Sequence, residues 1–274
     1  MTTPTGAKTP TPPKTPTPPK GPTAPTPPKG PTPVIGHVVV IGGGLAGMAA
    51  ALGAADGGAS VTLLERRRRL GGLTWSFRRN GHQFDNGQHV FLRCCTAYRA
   101  FLGRIGAADQ VTLQERMQIP VLARGGRRAD LWRTSWPAPL HLLPSLAGYS
   151  HLGVSDRIGV VRGALALRRL DRDDPALDER TFGSWLTEHH QSARSVQGLW
   201  DLLTIPTVNL PAAEASLALA TTVFQIGLLD SAGAGDVGWS EVPLSTLHGE
   251  NATRALDAAG AVVRTGVRAT GLRR

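Results

Sequence analysis

Three glycines and one glutamate carry the most specific chemistry in this sequence. Gly42, Gly44 and Gly47 stand in G-x-G-x-x-G spacing, with Glu65 downstream. Between a strand and a helix, the first glycine permits a tight turn and the second lets a pyrophosphate approach the backbone. The third lets helix and strand pack closely. The free N–H groups and positive dipole end of a helix beginning at Leu45 would receive phosphates. A carboxylate at the tip of the following strand can accept both hydroxyls of a ribose. The competing reading is a glycine-rich turn in some other parallel α/β protein.

The flanking residues favour dinucleotide binding. Residues 38–41 (Val-Val-Val-Ile) form a continuous β-branched run, which predicts a strand buried on both faces. Leu45, Met48, Ala49, Ala50 and Leu52 follow as a helix of small and apolar residues. Residues 61–64 read as a second strand that delivers Glu65 at its end.

Past Glu65, Arg66 to Arg69 lead into Leu70-Gly71-Gly72, a second place where backbone can lie against an extended cofactor. An acid, a short basic stretch and Leu-Gly-Gly together resemble the FAD-dependent amine oxidase and phytoene desaturase superfamily. Asp85-Asn86-Gly87-Gln88-His89 with residues 90–95, then residues 199–220 and 242–249, are similar to the hydroxysqualene dehydroxylases, also called squalene-associated FAD-dependent desaturases. The resemblance runs from about residue 34 to the end of the sequence.

That resemblance implies an α/β fold: a Rossmann-like FAD-binding domain with an inserted, mainly helical (α+β) substrate domain. Residues 34–110 would begin the FAD domain, 111–240 form the substrate domain, and 241–274 return to the FAD domain. Relatives continue beyond this point, so a further C-terminal segment contacting the flavin is expected and absent from this sequence. FAD is the implied cofactor, held by Gly42, Gly44, Leu45, Ala46, Gly47, Glu65, Arg67, Gly71 and Gly72, with Ala269 meeting the adenine. Gln88 is a candidate for an isoalloxazine edge, and Asp85 or His89 for proton donation. The alternative for Asp85 and His89 is that they only brace their loop. Relatives often carry Arg after the double glycine; here it is Leu73, which removes one pyrophosphate contact unless Arg69 replaces it. The implied reaction is reductive loss of the hydroxyl of hydroxysqualene, giving squalene for hopanoid synthesis. Other readings are a carotenoid desaturase, an amine oxidase or a non-catalytic flavin-binding fragment.

Composition sets broader bounds. The chain has 274 residues and a formal charge of +10. Residues 1–33 repeat Lys-Thr-Pro-Thr-Pro-Pro and hold every lysine, so they read as a disordered, polyproline-like tail without the apolar core of a signal peptide. The remainder, roughly 240 residues, suffices for one large or two modest cores. The basic balance suits nucleic acid or an anionic membrane surface. No nucleic-acid motif accompanies it; the lipid substrate that the resemblance implies favours a peripheral contact with an anionic membrane, beside the equally open bland reading that the charge does nothing specific. Residues 34–55 carry no formal charge, but strand–turn–helix grammar explains them better than a membrane span. Cys94 and Cys95 are adjacent and offer no disulfide framework, which points to reduced thiols in a cytoplasm. Glu188, His189 and His190 invite a metal reading. Adjacent helical histidines diverge by about 100°, which makes a poor chelate.

Further elements follow from periodicity. Residues 74–78 and 82–84 flank Gly81 as a hairpin. Tyr98, Phe101, Leu102 and Ile105 share one helical face. Residues 119–122 and 129–132 make a second hairpin, and Pro137, Pro139 and Pro144 punctuate a loop. Ser155 is placed as the cap of a helix burying Ile158, Val161 and Leu165. Phe182, Trp185 and Leu186 mark another helix, Val196, Leu199, Trp200 and Leu203 a third, and residues 212–229 a fourth. Asn251 would cap a last helix, with strands at 261–264 and 267–272 after it. Such a Leu- and Trp-rich helical block would wall a lipid tunnel or simply be core.

One prediction belongs to the sequence alone. Deleting residues 1–33 should leave the melting temperature and flavin content unchanged, because the repeat has nothing to bury. Binding to anionic vesicles should weaken as the four lysines leave. A large drop in melting temperature would show instead that the tail docks on the body.

Overall fold

The computed structural model describes residues 36–123 and 125–271. The expectations for the tail, Arg124 and Leu272 therefore lie outside the described residues. In chain order the elements begin with β1 (His37–Ile41), α1 (Leu45–Asp56) and β2 (Ser60–Glu65). A hairpin of β3 (Ser76–Arg79) and β4 (His82–Asp85) follows, then β5 (Val90–Leu92), α2 (Thr96–Arg104) and β6 (Val111–Leu113). A second hairpin, β7 (Gln118–Leu122) and β8 (Arg128–Trp132), leads into a helical block. After that block come β9 (Val237–Ser240), a helical stretch, and β10 (Val262–Thr265).

The glycine motif lies in a parallel sheet of order β1-β2-β10. β10 lies alongside β2 with Thr265 opposite Glu65, so a segment about 200 residues downstream completes the sheet beside the first βαβ unit. One face packs on α1 and on the helix Asn251–Ala258 through Met48, Leu52, Val61, Leu63, Leu247 and Leu256. The other face departs from expectation. Val39 is 51 % and Ile41 54 % exposed, so β1 alternates rather than being buried on both sides. A β-branched run shows that a strand is favoured, not that a layer covers its second face.

A separate core fills the helical block. Phe182 is at its centre, with ring centroids of Trp200 at 5.7 Å and Phe224 at 5.5 Å. Several expected boundaries shift here. Gly153, not Ser155, caps the helix Val154–Leu167, whose buried positions are Val160, Gly163 and Leu167. Ile158 and Leu165 point outward. The proline-punctuated loop contains the short helix Leu143–Gly148. The fourth helix starts at Leu217, where Ser216 accepts from Ala218 N, and residues 212–215 are a turn. Asn251 is not a cap but sits inside a longer helix, donating to Gln110 Oε1 at 2.7 Å. Residues 267–271 form no strand, and β10 pairs with β2 instead.

A three-stranded antiparallel sheet, β5-β9-β6, was not foreseen. Its strands are too short to show a period, and they come from three distant places. Its stability rests on Asp236, which is fully buried next to β9. Its carboxylate accepts from Arg93 Nε at 2.8 Å, Arg133 Nη2 at 2.8 Å and Met117 N at 2.8 Å. The guanidiniums also donate to Gln114 O and Glu115 O.

Asp236→Asn should therefore destabilise the protein by about 3–5 kcal/mol in denaturant titrations, since two arginines lose their shared anion. Burial alone would raise the Asp236 pKa; Arg133, Arg93 and the Met117 N–H outweigh that and hold it below the ordinary carboxylate value. A depressed folded pKa gives stability that is full above the unfolded pKa of about 3.9 and is lost as pH falls toward the folded value. The variant should show a flatter acid limb, and an unchanged limb would exclude Asp236 as its source.

Candidate functional site

The site begins where β1 ends. The turn after Ile41 is fixed by Gly42 N donating to Leu64 O at 2.8 Å. A Cβ on Gly47 would stand 1.8 Å from Gly42 O, so this position tolerates no side chain. Gly44 is the extended residue before α1, and no side chain caps the helix. The first-turn N–H groups of Leu45, Ala46 and Gly47 therefore form the unsatisfied donor set that a phosphate answers.

The second glycine turn closes on the first. Gly71 N donates to Gly43 O at 2.8 Å, and a Cβ on Gly72 would lie 2.9 Å from Gly44 Cα. Two bare backbone segments thus meet with no side chain between them, a cradle that fits the diphosphate of an extended cofactor. Leu73 is 73 % exposed and contributes no charge. Arg69 is fastened beside the turn: its Nη1 donates to Gly72 O at 3.1 Å and its guanidinium lies 4.2 Å over the Trp75 ring.

Glu65 reaches the end of β2 buried, with Oε2 accepting from Gly43 N at 2.6 Å and Oε1 from Arg67 N at 2.7 Å. Burial pushes its pKa up, but the Arg67 and Gly43 N–H groups more than offset this and keep it ionised. Each oxygen retains a lone-pair direction, so ribose hydroxyls can still be accepted. Arg67 itself is exposed, and its carbonyl accepts from Gly266 N just beyond β10. Ala269 is exposed a few residues further on.

The side chains of the DNGQH loop bond mainly to neighbouring segments. Asp85 Oδ1 accepts from Ser76 Oγ at 2.6 Å and from Leu244 N at 3.1 Å. Asn86 Nδ2 donates to Leu73 O, and His89 Nε2 to Asn86 O at 2.9 Å. Gln88 is exposed. His89 lines a cavity of about 270 Å³ whose wall also includes Leu45, Thr74, Cys95, Tyr98 and His248. Cys94 and Cys95 are both free thiols. Interaction with Cys94 lowers the Cys95 thiol to about 6 and pushes the Cys94 thiol up. Sequence reasoning placed Tyr98 only as a core position and passed over His248; a buried polar pair 150 residues apart leaves no local pattern.

A second cavity, about 190 Å³, lies in the helical block. Met117, Leu131, Val161, Leu165, Trp200 and Phe224 are among its walls, and among the described residues lining it Ser145 is the one with a polar aliphatic side chain. Ser145 Oγ is already bonded to Trp132 N and Asp130 O, and Trp200 Nε1 to Gln191 Oε1. The wall offers nothing for a charge. Of the residues judged a poor chelate, Glu188 pairs with Arg180, and His189 stacks on Trp185 with ring centroids 3.8 Å apart.

The sequence profile of the family described as "Flavin containing amine oxidoreductase" matches residues 45–264. The tomato (Solanum lycopersicum) zeta-carotene desaturase is 31 % identical over 178 residues, covering 60 % of this chain and 30 % of the relative. The Synechocystis zeta-carotene desaturase is 28 % identical over 200 residues, 69 % of this chain and 41 % of the relative. An oxidoreductase from Methanosarcina mazei superposes with a TM-score of 0.59 at 18 % identity, covering 84 % of this chain and 51 % of that one. A redesigned putrescine oxidase gives 0.59 at 19 %, over the same shares. The chain thus spans about half the length of these solved structures and less of the curated relatives, and the structural likeness carries the fold alone.

Glu65→Gln keeps an acceptor but removes the charge, and FAD affinity of the purified protein should fall by about 1–3 kcal/mol. Fluorescence titration of the apoprotein measures this. Unchanged affinity would remove Glu65 from the cofactor site.

Proposed function

The chain belongs to the flavin containing amine oxidoreductase family, and we propose that it is an FAD-dependent oxidoreductase acting on a long apolar isoprenoid rather than on an amine. FAD is its cofactor. The observation that carries the substrate class is the 190 Å³ cavity, whose polar atoms are already paired within the protein. A diamine such as putrescine would bring positive charge into a wall without a carboxylate, at a desolvation cost of several kcal/mol. A hydrocarbon loses nothing there and gains contact with Leu, Val, Trp and Phe side chains. The matched zeta-carotene desaturases, named for a carotene, support the same class.

Within that class two reactions stand. The relatives' names favour desaturation of a carotenoid-type polyene. The Asp85–His89 loop and residues 242–249 favour reductive loss of the hydroxyl of hydroxysqualene. Bound FAD supplies the two-electron exchange in either case. The protein's own part is to seat the diphosphate on the Gly44–Gly72 cradle, hold the chain in a dry cavity and keep water from the reacting carbons.

Contact with an anionic membrane is supported by one face of the helix Val154–Leu167. Ile158 (50 % exposed) and Leu165 (42 %) flank Arg162 there. Trp136 and Leu140 are also exposed, and Leu140 and Leu165 both reach the cavity wall. Such a surface buries apolar side chains in the interface while arginine meets headgroups. Among the described residues no helix is long and apolar enough to cross a membrane.

Product analysis decides the reaction. Purified protein with FAD should convert an isoprenoid: hydroxysqualene to squalene under a reductant, or a carotene to a more unsaturated product under an acceptor. Turnover of putrescine or a monoamine, with neither isoprenoid consumed, would overturn the substrate class. Ile158→Asp with Leu165→Asp should reduce binding to anionic vesicles at least fivefold without altering FAD content.

A further inference from the structure

Cys94 and Cys95 are the two cysteines of the chain, and they are consecutive. Neither the glycine cradle nor the apolar cavity accounts for them. They form the bend between β5 and α2, and backbone bonds pin it. Cys94 N donates to Ala234 O at 3.1 Å, Cys95 N to Leu92 O at 2.9 Å and Thr96 N to Cys94 O at 2.7 Å. Cys95 is the N-cap residue of α2, and no side-chain hydrogen bond caps that helix. A thiol on this residue stands at the helix end where free N–H groups and the dipole favour an anion. Both cysteines are free and half-buried rather than sealed in a core.

The two side chains also hydrogen-bond to each other. That bond brings the Cys95 thiol down to about 6 against the upward pull of burial, and a backbone bond with Leu92 adds to it. The same bond, then burial and the charge of Cys95, push the Cys94 thiol up. Tyr98, one turn along α2, is pushed up to about 12 by burial and by Cys95, so it is a neutral neighbour. A thiolate and a protonated thiol therefore stand side by side at neutral pH. A nucleophilic sulfur with a second sulfur next to it is the arrangement in which one is oxidised and the other resolves it.

We propose that Cys94 and Cys95 are a modification site for hydroperoxides, in which Cys95 is oxidised first and Cys94 then closes a disulfide between the two neighbours. In the first step the Cys95 sulfur bonds to one peroxide oxygen, the O–O bond breaks, and the other oxygen leaves as water after taking up a proton. The sulfur is oxidised by two electrons to a sulfenic acid and the peroxide is reduced. In the second step the Cys94 sulfur bonds to the Cys95 sulfur, and the S–O bond breaks. The departing hydroxide takes the Cys94 proton and leaves as a second water. Oxidation of Cys95 removes the charge that helps to hold the Cys94 proton, so the second step follows the first. Consecutive Cα atoms lie about 3.8 Å apart, closer than the roughly 4.4–6.8 Å usual for a disulfide, so the bridge is readily reduced again. This chemistry needs no FAD and is independent of the cofactor reading.

The full chain, reduced and freed of reductant, is treated with a small excess of hydrogen peroxide at neutral pH and digested with trypsin. Cleavage after Arg93 and Arg99 releases residues 94–99 as one peptide. That peptide should lose about 2 Da, the two thiol hydrogens, and regain them with dithiothreitol. Cys94→Ser keeps a hydroxyl donor beside Cys95 but removes the resolving sulfur, so dimedone should trap its Cys95 as the sulfenic acid. Cys95→Ser should react with peroxide at least fivefold more slowly than Cys94→Ser, as judged by loss of free thiol. A 94–99 peptide that keeps its mass, or that only gains oxygen, would overturn the assignment. Equal rates in the two serine variants, or disulfides formed only between separate chains, would do the same. If a serine variant does not fold, the peptide mass of the unaltered chain decides.

Discussion

A carboxylate with no exposed surface stays charged only if the fold brings it partners, and Asp236 obtains three from three places in the chain. Arg93 follows β5, Met117 precedes β7 and Arg133 follows β8. The one anion thereby ties the sheet β5-β9-β6 to the hairpin β7-β8. The two structures wall different cavities. Val90 and Phe91 of β5 line the polar one near the glycine cradle, while Met117 and Leu131 of the hairpin segment line the apolar one. A buried ion cluster thus ties together the walls of two different cavities.

The glycine cradle follows a different logic. Its geometry is almost wholly backbone: Gly71 N to Gly43 O, Gly42 N to Leu64 O, and Glu65 holding Gly43 N. Side chains are excluded because the two turns approach within van der Waals distance. Arg69 is held beside the turn by the Trp75 ring and by Gly72 O, while the exposed Leu73 brings no charge. An arginine clamped by stacking and a carbonyl would lose little freedom on meeting a phosphate.

The two cavities differ in their linings. One has a dry wall with every polar atom paired, which suits a chain without heteroatoms. The other holds the buried Tyr98–His248 pair beside Cys95, whose thiol is lowered to about 6.

The sequence by itself determined the first βαβ unit, the end of β1, the start of α1, the glycine spacing and Glu65, because each of these depends on neighbours within a few turns of chain. It also gave both hairpins and the helices around Phe182 and Trp200, where apolar periodicity is strong. Tertiary structure decided the rest. Whether β1 is covered on both faces depends on what packs against it, and Val39 and Ile41 show that nothing among the described residues does. Which face of the helix Val154–Leu167 is buried depended on the cavity beside it, since Ile158 and Val160 are equally apolar in a periodicity count. Ser155 and Asn251 are good caps by residue type, but tertiary contacts moved the helix starts away from both. Asp236, Tyr98 and His248 were illegible for the same physical reason. A buried polar group is defined by its partners, and theirs lie roughly 100 to 150 residues away along the chain.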